Sequence, residues 1–275
     1  MSPRETVGGI VVMALLAGPV TGVAHAQEAK AAPLAAPIRI AAQVVEPPAP
    51  PPPTPRHTGF AATLKAIPHD FRHLGSRENL MWVGIGTAAA LAIHPVDDNI
   101  NHHFAGVGAA DTFFKPGKYI GETATLAGAS LVVYATGRLR DTPKVSHIGM
   151  DLIRALVVDE AITQSLKYTA RRERPDGSDR HSFPSGHSSA TFAVATVLER
   201  HLHWRLSVPA YLFASYVAMS RLHENKHFAS DVAFGAAVGI IAGRTVTQPG
   251  SDKYAFAVAP IRGGVGVQFA ADWGR

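Results

Sequence analysis

The chain has 275 residues, of which 47% are hydrophobic and 17% charged, and its formal net charge is +5. This composition excludes a disordered chain and supplies enough apolar material for one folded domain with appendages. The absence of cysteine excludes disulfides, thiol chemistry and cysteine–zinc sites. The basic excess suits an anionic partner, such as a phosphate ester or a charged lipid surface.

The N-terminal segment predicts a leader followed by a spacer. Residues 6–27 carry no Asp, Glu, Lys or Arg, and their apolar centre precedes Ala24-His25-Ala26, a small-x-small cleavage site. We predict a signal peptide over residues 1–26, with an uncleaved membrane anchor as the alternative, and export to the periplasm or cell envelope. Residues 27–56 hold nine prolines, which predicts a semi-rigid linker rich in Pro and Ala.

Residues 57–248 are predicted to form a mainly α-helical domain. Apolar residues recur at helical spacing, and Pro and Gly separate the segments. The runs without charged residues fall short of the ~20 apolar residues that a bilayer-spanning helix needs. We therefore expect buried helices of a soluble or peripheral domain, with true membrane helices as the alternative. The predicted helices cover residues 60–74, 77–93, 117–137, 146–171, 186–202, 206–221 and 229–246.

The C-terminal stretch follows a different pattern. Val265, Val267 and Phe269 alternate with small or polar residues after a glycine pair. Alternation of this kind is typical of a half-buried strand, and glycines suit a turn. Residues 249–275 are therefore predicted to form a small β-hairpin extension.

Lys167 and Arg174 form the first candidate anion-binding motif. Their seven-residue separation is close to two helical turns, so both side chains are predicted to lie on nearly one face and to share an anion. Pro175 disfavours helical geometry at Arg174, which lets the planar guanidinium turn towards phosphate oxygens. Taken alone, the motif also fits a basic helix end.

The second motif is Pro184-Ser185-Gly186-His187, directly before an apolar helix. Ser185 is placed to cap that helix, whose free N–H groups would face an anion. Gly186 permits close backbone approach, which predicts a cradle for a phosphoryl group. His187 is predicted to be the general acid, since a reference pKa of about 6.5 lets it hold a proton at mildly acidic pH; the alternative is an exposed histidine in a capping turn.

The third motif is Ser220-Arg221, followed by His227 and Asp231. His227 and Asp231 stand at i and i+4, so they can meet on one helical face. If Asp231 accepts a hydrogen bond from one imidazole nitrogen, the other nitrogen is left as a nucleophile. Arg221 would neutralise oxygens of the transferred phosphoryl group, so that catalysis needs no metal.

Together the three motifs resemble those of the type 2 phosphatidic acid phosphatase family, whose superfamily includes bacterial acid phosphatases and vanadium haloperoxidases. The family pattern Lys-x6-Arg-Pro, Pro-Ser-Gly-His and Ser-Arg-x5-His-x3-Asp is matched at every position. The resemblance covers residues 60–246 and implies a helical bundle around a phosphate site, without a cofactor. It implies His227 as nucleophile, His187 as acid and Asp231 as the orienting residue. It further implies phosphate binding by Lys167, Arg174, Ser185, Gly186 and Arg221.

We therefore expect hydrolysis of a phosphomonoester or pyrophosphate, preferentially a lipid-linked one, through a phosphohistidine. The expected partner is a phosphorylated small molecule or lipid, with peripheral membrane contact and no nucleic acid; the oligomeric state stays open. A soluble periplasmic acid phosphatase, a vanadium-dependent haloperoxidase and a non-enzymatic envelope protein are the alternatives. Residues 222–226, between Arg221 and His227, are more polar and charged than the corresponding residues of many membrane-embedded lipid phosphatases. This difference weakens the assignment of a lipid substrate.

Other polar residues give weaker signals. Arg171 and Arg172 either steer anions or form a solvated helix end. Asp159 and Glu160 are predicted to lie on the surface or in a structural ion pair. Metal-ligand residue types also cluster, at a spacing that fits no definite site, at His94, Asp97, Asp98, His102 and His103.

Overall fold

The structure is a computed structural model that describes residues 51–55, 58–106, 108–202 and 204–248, and the backbone of residues 254–261 and 264–271. The signal peptide predicted over residues 1–26 lies outside the described residues, as does most of the linker predicted over residues 27–56. Both stay predictions.

The described part is mainly helical, as predicted. All but one of the predicted helices agree with observed helices to within three residues at each end. The helices are α1 (Phe60–His73), α2 (Arg77–Ile93), α3 (Asp97–Phe104), α4 (Gly108–Ile120), α5 (Thr123–Leu139), α6 (Pro143–Ala170), α7 (Gly186–His201), α8 (Trp204–His223) and α9 (Ala229–Thr247).

The helix predicted over residues 117–137 is wrong. Helix α4 ends at Ile120 and α5 begins at Thr123, so the chain turns a corner between them. Gly121 stands at that corner, where a Cβ atom would lie 2.3 Å from Cγ1 of Val217 on α8. Helix α3 escapes prediction because most of its residues are polar and too few are apolar to show a period, and α4 because glycine and proline interrupt its apolar pattern.

Helices α6, α7 and α9 form the centre of the domain, with α5, α8 and α2 packed around them. Their shared core includes Val158 of α6, Val197 of α7 and Ala242 of α9, all with no exposed surface. Full burial of a side chain such as Val158 or Val197 is worth about 1.5–3 kcal/mol. This core fixes the ends of the three helices, where the candidate site residues lie.

Small residues let α7 and α9 approach closely. Gly235 and Gly239 lie one turn apart on α9. A Cβ atom at Gly235 would lie 2.6 Å from the carbonyl oxygen of Ser185, and one at Gly239 would lie 2.1 Å from that of Ser189. The backbones of the two helices therefore touch where α7 begins, which holds the second motif against the third.

Several helices expose apolar faces. By length and composition, the stretches Arg77–Phe104 and Ala229–Thr247 are apolar enough to cross a membrane; 17% and 72% of their most apolar windows are buried. The expectation of buried helices is thus wrong for α2. Large apolar side chains of α2, α5 and α8 lie exposed, among them Leu80, Met81, Val83, Ile85, Leu91, Leu131, Val132, Leu206, Leu212 and Phe213.

At the C-terminal end, the backbone of Tyr254–Ile261 pairs antiparallel with that of Gly264–Ala271. The turn residues 262–263 and all side chains of this segment lie outside the described residues. The alternation of side chains on which the hairpin prediction rests is therefore untested, and the hairpin extension stays a prediction.

Candidate active site

Three cations from different elements meet at one end of the helical centre. Lys167 lies in the last turn of α6, Arg174 in the following loop and Arg221 in the last turn of α8. The Nζ atom of Lys167 donates to the carbonyl oxygens of His181 and Pro184, at 2.6 and 2.7 Å. Burial, and then the charge of Arg174, lower the pKa of Lys167 to about 8. The amine is thus held against the loop, and it loses its positive charge as the pH rises through about 8.

The two guanidinium groups are anchored differently. Arg174 donates from Nε to Asp179 at 2.8 Å and from NH1 to Nε2 of His227 at 3.2 Å. Arg221 donates from NH1 to Glu224 at 2.9 Å, whereas its buried Nε has no hydrogen-bond partner among the described residues. Arg221 therefore has a donor to offer to an anion.

The N-terminus of α7 completes the cradle. Ser185 is its N-cap and donates its own N–H to the carbonyl oxygen of Asp231 at 3.1 Å. Gly186 opens the helix, and a Cβ atom there would lie 3.7 Å from Thr163 and 3.8 Å from Lys167, which is ordinary contact. A side chain at this position would therefore not clash with the protein. The predicted role of Gly186 depends instead on the close approach of an anion to the backbone.

His227 presents an unprotonated nitrogen to the cations. Its Nδ1 atom lies 2.7 Å from the carbonyl oxygen of Ser182. Because a carbonyl only accepts, Nδ1 carries the proton and Nε2 keeps its lone pair. Burial and the charges of Lys167 and Arg174 hold the pKa of His227 well below its usual value. The ring is therefore neutral, as a nucleophile must be.

Asp231 does not hydrogen-bond directly to His227, which corrects the expected pairing. The distance between Oδ2 of Asp231 and Nδ1 of His227 is 3.9 Å, since Nδ1 donates its hydrogen bond to the carbonyl oxygen of Ser182. Oδ2 of Asp231 instead accepts from the Ser182 hydroxyl at 2.5 Å and from the Phe228 N–H at 2.9 Å. Asp231 therefore reaches His227 through Ser182, a residue that the motifs do not single out.

Arg172 has a role that neither interpretation of it from the sequence anticipated. It donates from NH1 to Oδ1 of Asp231 at 2.6 Å and from NH2 to Oδ2 of Asp97 at 2.8 Å. Its guanidinium stacks over the Phe228 ring at 4.1 Å. Arg172 is thus neither a solvated helix end nor free to steer anions. The available signal was its position inside the Lys-x6-Arg interval.

His187 stands in the first turn of α7, where its Nε2 contacts the carbonyl oxygen of Lys118 at 3.0 Å. Burial, and then the charge of Arg221, lower the pKa of His187 to about 4. The expectation that His187 holds a proton at mildly acidic pH is therefore wrong for the site without an anion. A bound phosphate would offset the cations and favour the protonated ring.

The predicted cluster of metal-ligand residue types is not brought together as a ligand set. His94 lies 3.1 Å from Asp97, but Asp97 is engaged by Arg172 and Ser230. Asp159, expected at the surface or in an ion pair, is fully buried and accepts from Ser189. A cavity of about 540 Å³ opens beside Arg174 and is lined in part by Asn101, His102, Glu173 and Asn225.

Residues 148–253 match the family model of the PAP2 superfamily. This range contains every predicted site residue, from Lys167 to Asp231. Residues 148–253 are therefore similar to the PAP2 superfamily, and they contain most of α6, the helices α7 to α9 and the three motifs on which the resemblance rests.

Relatives and a solved structure agree with this assignment. The chain is 36% identical to a lipid A 1-phosphatase of Porphyromonas gingivalis, over 57% of this chain and 35% of that protein. It is 33% identical to a decaprenylphosphoryl-5-phosphoribose phosphatase of Mycobacterium tuberculosis, over 35% of this chain and 58% of that one. The chain thus spans only about a third to just over half of these two relatives. A transmembrane PAP2-type phosphatidylglycerolphosphate phosphatase from Bacillus subtilis shares the fold, with a TM-score of 0.54 and 22% identity over 62% of this chain and 94% of that one.

Proposed function

We propose that this protein is a phosphatase that hydrolyses a lipid-linked phosphomonoester or pyrophosphate through a phosphohistidine on His227. The observation that carries the proposal is the neutral His227 ring, whose Nε2 lone pair faces Arg174 while Nδ1 is held by Ser182. Phosphoryl transfer needs a positioned nucleophile and fixed positive charge around the equatorial oxygens. Lys167, Arg174 and the N-terminus of α7 supply that charge.

The reaction proceeds in two steps. In the first, Nε2 of His227 forms a bond to phosphorus as the bond to the leaving oxygen breaks, and His187 gives its proton to that oxygen. In the second, His187 takes a proton from water, whose oxygen attacks phosphorus and releases phosphate and free His227. Asp231 holds Ser182, and through it the tautomer of His227. No metal takes part in either step.

Two observations support a lipid-linked substrate. Helices α2, α5 and α8 expose large apolar side chains, which suits work at a membrane surface. The relatives named above are phosphatases whose names specify lipid A or a decaprenyl-linked phosphoribose. Export, predicted from residues 1–26, would place the enzyme in the periplasm or cell envelope.

Phosphate release by the full chain tests the proposal. We expect phosphatidic acid or an isoprenyl pyrophosphate in mixed micelles to be hydrolysed faster than a soluble aryl phosphate, without added Mg²⁺. His227→Ala should lower kcat by at least about 10³-fold, because the nucleophile is lost. His103→Ala, at an exposed histidine outside the site, is the matched control.

Radiolabelled substrate and an alkaline quench test the covalent step. We expect acid-labile label on the wild-type protein and none on His227→Ala. A fully active His227→Ala protein would contradict the mechanism. Preference for the aryl phosphate would favour a soluble acid phosphatase, and halide oxidation with vanadate and peroxide would favour a haloperoxidase.

A further inference from the structure

Three metal-ligand side chains meet at the end of α6 and α7 that is remote from the phosphate site. His147 and Asp151 lie one turn apart near the start of α6, and His201 ends α7. Lys167 lies five to six turns further along α6 than His147, which corresponds to about 30 Å of helix. This group is therefore separate from the catalytic machinery.

The geometry of the group is close to that of a metal site. The Nε2 atoms of His147 and His201 lie 3.2 and 2.9 Å from the same oxygen, Oδ2 of Asp151. All three candidate ligand atoms lie within 4.8 Å of one another, and the two rings are nearly perpendicular, at 88°. Bonds of about 2.0–2.1 Å in tetrahedral zinc sites put neighbouring ligand atoms about 3.3 Å apart. Small shifts would thus admit an ion.

The charge around Asp151 also favours a cation. Arg154 donates from NH1 to Oδ1 of Asp151 at 2.7 Å and from Nε to Asp70 of α1 at 2.8 Å. One guanidinium thus lies between two carboxylates, those of Asp70 and Asp151. His147, Asp151 and His201 are all buried, where uncompensated charge is costly. Arg154 contacts Oδ1 of Asp151, whereas Oδ2 of Asp151 faces the two imidazoles.

We propose that His147, Asp151 and His201 bind one Zn²⁺ ion. Two imidazoles and one carboxylate are ligands that zinc accepts, with water in the fourth position. Nδ1 of His147 has no hydrogen-bond partner among the described residues, so the polar contacts of this ring run through Nε2. The ion joins the start of α6 to the end of α7 and, through Arg154, to α1. Its role is structural, because the reacting phosphoryl group lies at the other end of α6.

Zinc content of the full chain, produced without a histidine tag or chelator, tests this site. After dialysis against Zn²⁺ and removal of loosely bound ion, we expect about one zinc per chain in the wild type. The double variant His147→Gln/His201→Gln should retain less than about a tenth of that amount, since two of the three protein ligands are lost. His103→Gln is the matched control and should bind as the wild type does. Zinc-free wild type, or equal zinc in wild type and double variant, overturns the proposal.

Cobalt gives a second measurement that does not depend on a folded variant. Co²⁺ bound to the wild-type chain should show the intense visible absorption of a tetrahedral site, and equimolar Zn²⁺ should remove it. A weak octahedral spectrum overturns the proposal. Both readouts are independent of turnover, so their failure leaves the phosphohistidine mechanism untouched, and failure of that mechanism leaves the zinc site untouched.

Discussion

At the scale of single residues, the reactive state of His227 depends on a chain of contacts that begins outside the motifs. Arg172 and the Phe228 N–H donate hydrogen bonds to Asp231. Asp231 also accepts from the Ser182 hydroxyl, and the Ser182 carbonyl accepts from Nδ1 of His227. Each link fixes the orientation of the next. The proposed nucleophile is therefore positioned by groups that lie outside the cationic cradle.

Arg172→Gln tests this chain of contacts. The variant leaves Oδ1 of Asp231 without its charged donor, and misplacement of a reacting group by about 1 Å costs about 10²-fold in rate. We expect kcat to fall by up to about 10²-fold. KM should change little, because Arg172 does not face the phosphate. Arg171→Gln, at the exposed neighbouring position, should keep wild-type kcat. Equal kcat in both variants would show that Arg172 has no positioning role.

The pKa of His187 should respond to an anion in the cradle. Without ligand, burial and Arg221 lower that pKa to about 4, so the ring is neutral at pH 6. Bound phosphate offsets the positive charge, so we expect the pKa to rise towards or above its ordinary value. Titration of the histidine NMR signals with and without phosphate measures the shift. An unchanged pKa at saturating phosphate would remove His187 as the general acid in the first step.

Lys167 should limit phosphate binding at alkaline pH. Its pKa of about 8 means that the cation is present below that pH and is lost above it. Inorganic phosphate is mainly dianionic from about pH 8 upwards, so above that pH its affinity should fall as Lys167 loses its charge. Calorimetric titration at several pH values measures this fall, and Lys167→Arg, which keeps its charge, should abolish it. The same fall in the Lys167→Arg variant would assign it to another group.

At the scale of elements, the contact between α7 and α9 sets the geometry of the cradle. Gly239→Ala would place a Cβ atom 2.1 Å from the Ser189 carbonyl oxygen and force the helices apart. We expect a loss of about 1–3 kcal/mol in the free energy of unfolding. Gly84→Ala, on the exposed face of α2 where nothing lies within 4 Å, should instead stabilise the fold by about 0.5–1 kcal/mol. Urea unfolding of both variants measures the difference, and equal effects would refute the close contact.

Helical periodicity predicted most elements, and three spaced motifs predicted the residues of the cradle. The pattern failed over residues 117–137 because a tertiary contact at Gly121 decides where the helix breaks. The motifs also missed Ser182, because its contact with His227 is made by a backbone carbonyl, a group that every residue type has. The partner of His201 is Asp151, and the two meet only because α6 and α7 pack against each other.

At the scale of the whole molecule, the exposed apolar faces of α2, α5 and α8 favour the proposed work at a lipid surface. Leu91 of α2 and Val132 of α5 are 66% and 65% exposed. We expect Leu91→Gln/Val132→Gln to lower the binding of residues 27–275 to neutral phosphatidylcholine vesicles by at least about tenfold, since apolar burial drives such binding. Thr87→Gln, an exposed polar position of α2, should bind as the wild type does. Co-sedimentation measures this, and unchanged binding would leave these faces without a role at the lipid surface.

The contact between Arg174 and Nε2 of His227 has a chemical consequence. The Nε2 lone pair of His227, the proposed nucleophile, accepts from a guanidinium donor, so an electrophile gains access only by drawing that donor away. An anionic phosphate does so with its own oxygens, whereas neutral alkylating agents and phosphotriesters offer Arg174 no comparable partner. Under the proposed mechanism the resting site thus discriminates by charge before any bond is made, and it protects the imidazole of His227 from adventitious modification.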